Sequence, residues 1–479
     1  MGTIEFTCDT DDLLDRDCLS KADFVTFDGR VVPTVTEFSG RQLICRREMS
    51  DSSKLRVMCH MGNRHQIAQT TSLRESDRPY SLELELARGE LARVRTFFAL
   101  WTGAGLKSNA ALESGIQNAH NAFRKAIFSD SISAAIEALR LAADASDSLV
   151  LEYVRQRLTF RRQRQQNFPM TVGCRLTQVP LQEEKFLSTF NAVHAKTRWN
   201  QLEPIDGEYQ WEELDQLVEW TNQHGLLCCG GPLLDLSSDC FPDWMSPWKG
   251  DLVNLESFTS DFVETVVGRY VGRIRHWEVV CGPNRGGSNQ LSEEQRLNLI
   301  ARAIEAAQQV DEQIQISIRV VQPWGEYLNS TSNRLAPIQF VDTLRRSGVR
   351  LSEVNLDLRF GAKSLDSLQR DPMSMSQLLD HWSLLQMPLN VMMAVPDLPR
   401  KMESDNLPTM IAWQCKMIED VMLLCLSKER VSGFYCLNWN DMTVGDQPLL
   451  DSAENLHPMV ERIAGFEESW WQSSNESSS

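Results

Sequence analysis

The period of apolar and polar positions changes along this chain. Over residues 1–88, short β-branched runs are broken by Gly, Asp and Ser, as in DFVTFDGRVVPTVTEF, QLICRRE, KLRVMCHMG and YSLELELA. That punctuation predicts a small antiparallel β unit of sandwich type. Its only tyrosine is Tyr80 and it has no tryptophan, so it offers no flat platform for a sugar and reads as a structural cap. Over 89–167 apolar residues recur at helical spacing in Ala- and Leu-rich stretches such as SISAAIEALRLAADASDSLVLEYVRQRL, which predict a helical linker. From 168 to 468, eight apolar runs follow: MTVGCRL, STFNAVHA, GLLCCGGPLL, IRHWEVV, IQISIRVV, EVNLDLRFG, PLNVMMAV and SGFYCLNW. Helical segments such as EELDQLVEWTNQHG and SEEQRLNLIARAIEAAQQV lie between them, the second opening on Ser292-x-x-Gln295, the spacing of a capping box. Strand-like runs alternating with helices predict an α/β fold, a (β/α)8 TIM barrel, whose working residues stand at the C-terminal ends of the strands. Residues 469–479 read as a polar, Ser-rich tail, with Trp470 and Trp471 docked on the barrel.

The segment FNAVHAKTRWNQLEPIDGEYQWEELDQLVEW carries Phe190, Asn191, Trp199, Glu203, Pro204, Gly207, Trp211 and Asp215 at a specific spacing. It resembles glycoside hydrolase family 10, the β-1,4-xylanase family, whose pattern is FN…ENxMKWxxxEPxxGxFxFxxxDxxVxxA. The resemblance extends over most of 185–445 and takes in Phe-Pro-Asp-Trp at 241–244, RIRHWEVVCGPN, and Asp441 near the end of strand 8. It implies a TIM barrel and a retaining glycosidase hydrolysing O-glycosyl bonds of xylan. In that chemistry two carboxyl groups stand about 5–5.5 Å apart, one protonating the leaving oxygen and one attacking the anomeric carbon.

This chain departs from the family at the residues that do the chemistry. The strand 4 acid/base position, in Trp277-Glu278-Val279-Val280-Cys281-Gly282, reads Gly282, and the strand 7 nucleophile position reads Met393, to within one residue. The family's Asn and Lys after strand 2 align with Ala195 and Arg198. Its RGHTLVWH aligns with Gly231, Asp235 and Leu236, and the Gln and His of strand 6 align with Asp357 and Arg359. Neither glycine nor methionine carries a proton, so the resemblance implies the fold while the standard double displacement is expected to be absent. Glu278 lies four residues before Gly282, roughly 13 Å deeper at about 3.3 Å per residue, and reads as a hydrogen-bonded core carboxylate.

The candidate pocket residues are Arg198, Trp199, Glu203, Asp235, Asp357, Arg359, Trp439 and Asp441, with Asn438 and Asn440 beside them. Two readings of the charged members stay open. Asp235 and Asp357 could run different chemistry in the same barrel, or two arginines and two aspartates could form an ion network filling the former sugar shell, since buried charges need partners. Trp244, Trp248 and Trp324 follow strands and could stack on sugar rings. The role expected is therefore either a xylanase-like glycosidase or a non-catalytic saccharide-binding or scaffold relative.

Composition narrows the partners. A formal charge of −17 over 479 residues opposes nucleic acid and anionic membranes and suits a neutral poly- or oligosaccharide. The cluster Arg155, Arg157, Arg161, Arg162 and Arg164 reads as a helix C-terminus complementing its dipole. The start has no basic, apolar-cored leader and no apolar run reaches about 18 residues, so a cytoplasmic protein is expected. The 12 cysteines form no CxxC pair, which fits reduced thiols. Cys59, His60 and His65 match no zinc template, and neither a metal nor a cofactor is expected.

Overall fold

A computed structural model describes residues 2–9, 13–61, 64–129, 131–164, 170–237, 241–248, 250–287, 291–361, 363, 366–397, 407–441 and 446–464, and the 469–479 tail with Trp470 and Trp471 lies outside them. The chain forms two compact units. The first comprises 1–168 together with 324–332 and 368–378; the second comprises 169–323, 333–367 and 379–479.

In the first unit, β1 (Gly2–Thr7), β4 (Val35–Ser39), β5 (Gln42–Arg47) and β8 (Tyr80–Ser81) make one four-stranded sheet in the order β4-β5-β1-β8. A second sheet, β3-β2-β6-β7, is built from β2 (Asp23–Val25), β3 (Val31–Val32), β6 (Lys54–Met61) and β7 (Arg64–Gln69). All pairings are antiparallel except β1 with β8, because Tyr80–Ser81 returns alongside β1 before the chain turns helical. Three helices follow: α2 (Leu82–Gly103), α3 (Ala110–Ser129) and α4 (Ile132–Arg164), after a short α1 (Arg16–Ser20) near the start. Ile4, Phe6, Phe24, Leu43, Leu55, Leu82, Leu86, Leu139 and Ala142 share one core, so sheets and helices bury a common apolar interior. The later stretch 368–378 joins this unit through the buried Arg93–Asp371 pair, where Nη1 donates to Oδ1 at 3.1 Å.

The second unit is a closed parallel barrel. Its strands are β9 (Thr171–Leu176), β10 (Ala192–Ala195), β11 (Leu227–Gly230), β12 (Leu234–Asp235), β13 (His276–Cys281), β14 (Gln315–Val320), β15 (Glu353–Leu358), β16 (Leu389–Met393) and β17 (Val431–Cys436). Each of the eight apolar runs supplies one barrel position, β12 continuing β11, and both pair with β13 to close the sheet. Helices fill the connections, among them α5 (Glu183–Thr189), α6 (Trp199–Leu202), α7 (Glu212–Gln223), α8 (Leu252–Arg269) and α9 (Glu293–Val310). α9 starts with the expected capping box: Ser292 Oγ accepts from Gln295 N at 3.2 Å and Gln295 returns a bond to Ser292 N at 2.8 Å. Strands buried on both faces explain why these runs are almost continuously apolar.

Candidate functional site

Inside the barrel the deepest polar layer centres on Glu278 of β13. Its Oε2 accepts from Asn355 Nδ2 of β15 at 2.7 Å, its Oε1 lies 3.0 Å from Arg319 Nη2 of β14, and His194 Nε2 of β10 stands 3.6 Å away. Asn390 of β16 continues the chain, Nδ2 donating to Asn355 Oδ1 at 2.9 Å. Burial would raise the Glu278 pKa, but Arg319 and His194 outweigh it and hold the carboxyl down at about 2. Glu278 is thus the core carboxylate expected from its depth on the strand.

The layer above holds most of the mouth. Asp357 Oδ1 lies 3.3 Å from Arg359 Nε, and its Oδ2 lies 3.8 Å from Arg319 Nη1. Arg359 also reaches Asp446 at 3.6 Å. Burial raises the Asp357 pKa against the pull of Arg359 and Arg319. Asp441 accepts from Lys196 Nζ at 2.9 Å, and Asp235 accepts from Ser237 N at 3.0 Å. Burial together with Arg175 lowers Lys196 to about 7 despite its bond to Asp441. Among the described residues, carboxylates and cations thus alternate through this layer. The cavity bounded by Arg175, Lys196, Thr197, Arg198, Trp199, Pro232, Leu233, Asp235 and Arg319 is about 20 Å³, room for a water or two. Ligand pockets for molecules of sugar size and above run to hundreds of cubic ångströms.

At the tip of β13, Gly282 has φ +66°, a left-handed conformation that disfavours any side chain. A Cβ there would also stand 2.5 Å from Ser237 Cβ and 3.0 Å from Ser237 N. Gly231, with φ +128°, is equally closed, since a Cβ would run into the Glu278 backbone carbonyl. On β16 the inward alternation runs Asn390, Met392, Ala394: Met392 and Ala394 belong to the cluster with Ala192, Cys229, Tyr435 and Leu437. Met393 is buried on the other face of the strand, so the inward residues at this tip are its two neighbours.

Several expected pocket residues do other work. Trp199 is buried against Phe262, ring centroids 4.4 Å apart, and its Nε1 donates to Glu203 Oε2 at 2.7 Å. Glu203 also accepts from Gly207 N at 3.0 Å, so this pair clamps the loop after β10. Trp439 packs edge-on against Phe186 and donates to Leu181 O at 3.1 Å. Asn438 ties its loop together, Nδ2 donating to Asp441 O and Asp446 O at 2.9 Å each. Trp244 donates to Glu203 O at 3.1 Å and packs on Phe258, whereas Trp248 is 42% exposed. Trp324 lies in the first unit, with the Arg370 guanidinium 5.1 Å from its ring centroid.

Sequence reasoning missed Arg175, Lys196 and Arg319. The signal was a single cation in each of the buried runs MTVGCRL and IQISIRVV. Elsewhere, in the first unit, Cys59 bonds toward Val57 O on its own strand, and the group close enough to share one ion is Asp15, Cys18 and His60. His60 Nε2 lies 3.2 Å from Asp15 Oδ2 and 3.4 Å from Cys18 Sγ, while His65 stacks on His60. Every cysteine among the described residues is buried and unbridged, and no helix among them is long and apolar enough to cross a membrane.

Residues 161–445 match the family model described as Glycosyl hydrolase family 10. Endo-1,4-beta-xylanase A of Phanerodontia chrysosporium is 23% identical over 252 residues, which cover 51% of this chain and 57% of that protein. The chain thus spans less than two thirds of this relative's length. Native xylanase 10B of Thermotoga maritima superposes with a TM-score of 0.50 at 14% identity, over 67% of this chain and 98% of that one. Xylanase 10B of Thermotoga petrophila RKU-1, solved in complex with xylobiose, gives 0.47 at 15% identity over 66% and 96%.

Proposed function

Since the chain belongs to glycosyl hydrolase family 10, we propose that it is a family member that has kept the barrel and lost the retaining double displacement, and that it acts by binding. The observation that carries this reading is Gly282. Its backbone conformation and the Ser237 side chain leave no room for a proton donor at the strand 4 tip. The apolar Met392 and Ala394 inside the strand 7 tip supply no nucleophile either. General acid–base catalysis alone commonly contributes about 10²–10⁴-fold, and the fixed geometry that gives it value would be missing too.

The test is release of reducing ends from xylan and of phenol from an aryl β-xyloside. No turnover above the uncatalysed background is expected. Turnover abolished by Asp357→Asn would overturn the reading and identify a replacement carboxylate. The 42% exposure of Trp248 favours, as a second reading, weak stacking of a neutral xylo-oligosaccharide on that indole. Calorimetric titration with xylotriose should then show binding that Trp248→Ala removes, without hydrolysis.

A further inference from the structure

The mouth of the barrel contains a buried cation with no direct partner among the described residues, with Asp446 and Asp357 acting on it only at longer range. Arg175, near the end of β9, is 6% exposed, yet its side chain makes no hydrogen bond or ion pair among the described residues, and its Nη2 is sealed from solvent. Burying an unpaired charge costs several kcal/mol, so such a group is ordinarily paired. Arg198, half-buried on the wall of the same small cavity, also has no side-chain partner among the described residues.

The carboxylates nearby are engaged elsewhere. Glu278 is held by Arg319 and Asn355, Asp441 by Lys196, and Asp357 and Asp446 by Arg359. Asp235 accepts from the Ser237 amide. The cavity is therefore lined by Arg175, Lys196, Arg198 and Arg319 against the one acid Asp235. Lys196 and Arg319 have carboxylate partners, so Arg175 and Arg198 are the two cations of this lining without a direct partner among the described residues.

We propose that the barrel mouth binds a small oxyanion, a carboxylate or phosphate group, between the guanidinium groups of Arg175 and Arg198, with Lys196 and Arg319 as flanking cations. Arginine forks match such groups with two parallel N–H donors, and charge-assisted bonds of this kind are about twice as strong as neutral ones. A cavity with room for a water or two admits one or two oxygens of such a group and is too small for a sugar ring. The field agrees: burial with Arg319 and Arg359 holds the Arg175 pKa down to about 10, the direction a bound anion would reverse. The site does not depend on whether hydrolysis is lost, so it can fail while that reading stands.

The experiment titrates the full chain with inorganic phosphate and, separately, with acetate, at constant ionic strength made up with sodium chloride. Calorimetry and thermal melts are read together. Saturable 1:1 binding of either anion is expected, with a rise in Tm. Phosphate alone would indicate a tetrahedral group and acetate alone a planar carboxylate. Arg198→Met should weaken binding at least about tenfold, the loss of one charged hydrogen bond. Arg175→Met should do the same, and without anion its Tm should equal or exceed that of the parent, because an unpaired buried charge has been removed. A merely structural arginine would instead lower it. If Arg175→Met does not fold, Arg198→Met decides alone. Absence of saturable binding to both anions up to about 10 mM, a loose limit for a site with two charge-assisted arginine contacts, would overturn the proposal. So would binding that Arg198→Met leaves unchanged.

Discussion

Replacing Gly282 with alanine adds one carbon and tests whether the strand 4 tip is closed to side chains. Two costs follow from the geometry. Holding a non-glycine residue at φ +66° costs about 1–2 kcal/mol. Forcing a Cβ to 2.5 Å from Ser237 Cβ requires the loop to shift, and overpacking of this kind costs about 1–3 kcal/mol. Stiffening the unfolded chain returns about 0.4–1 kcal/mol, which leaves a net loss of about 2–4 kcal/mol. Urea unfolding of Gly282→Ala, followed on the barrel transition, measures the sum. Repeating it in a Ser237→Gly background separates the parts, because the closest contact is then gone and only the conformational cost less the same return, a net of about 0–1.5 kcal/mol, should remain. A loss below about 0.5 kcal/mol, the level of an ordinary surface substitution, would refute the reasoning. So would an equal loss in both backgrounds, which would mean that Ser237 does not close the site. A glutamate side chain at 282 would carry the same Cβ, so the outcome bears directly on the proposed loss of the acid/base.

Glu278→Gln should cost about 3–5 kcal/mol in urea melts, because it removes the closest counter-charge of buried Arg319 and leaves Asp357 at 3.8 Å as its remaining carboxylate contact. In the parent, the Glu278 carboxyl sits at about 2 when folded against 4.5 for the free group. Its contribution of about 3 kcal/mol is therefore present above pH 4.5 and lost as pH falls toward 2, an acid dependence that Glu278→Gln should flatten. Trp199→Phe keeps the stack on Phe262 and removes the N–H donated to Glu203, so a loss of about 1.5–3 kcal/mol is expected; no loss would mean that the clamp is not a stabilising contact.

The barrel was legible because burial on both faces writes each strand as an apolar run, and Glu278 was legible because it stands four residues below the strand tip, deep in a run where a carboxylate must be paired. The mouth was harder to read. Arg175 and Arg319 each interrupt an apolar run and could have been flagged by the same argument as Glu278, whereas Lys196 was overlooked because the motif drew attention to Arg198, two residues on. The choice between Met392 and Met393 needs the strand's inward phase, which the bond from Asn390 to Asn355 fixes and an apolar run cannot. Trp324 follows β14 in sequence yet belongs to the first unit, a long-range outcome that local pattern does not encode. What the pattern also hides is that the substitutions depend on one another. Ser237 closes Gly282, its amide is fixed by Asp235, Asp235 faces the same cavity as Arg319, and Arg319 is held by Glu278. Any side chain at position 282 would therefore have to displace Ser237, whose amide is held by Asp235. On the proposed reading, that coupling makes the mouth change as one unit, since Ser237, Asp235, Arg319 and Glu278 are linked through shared contacts and one cavity wall.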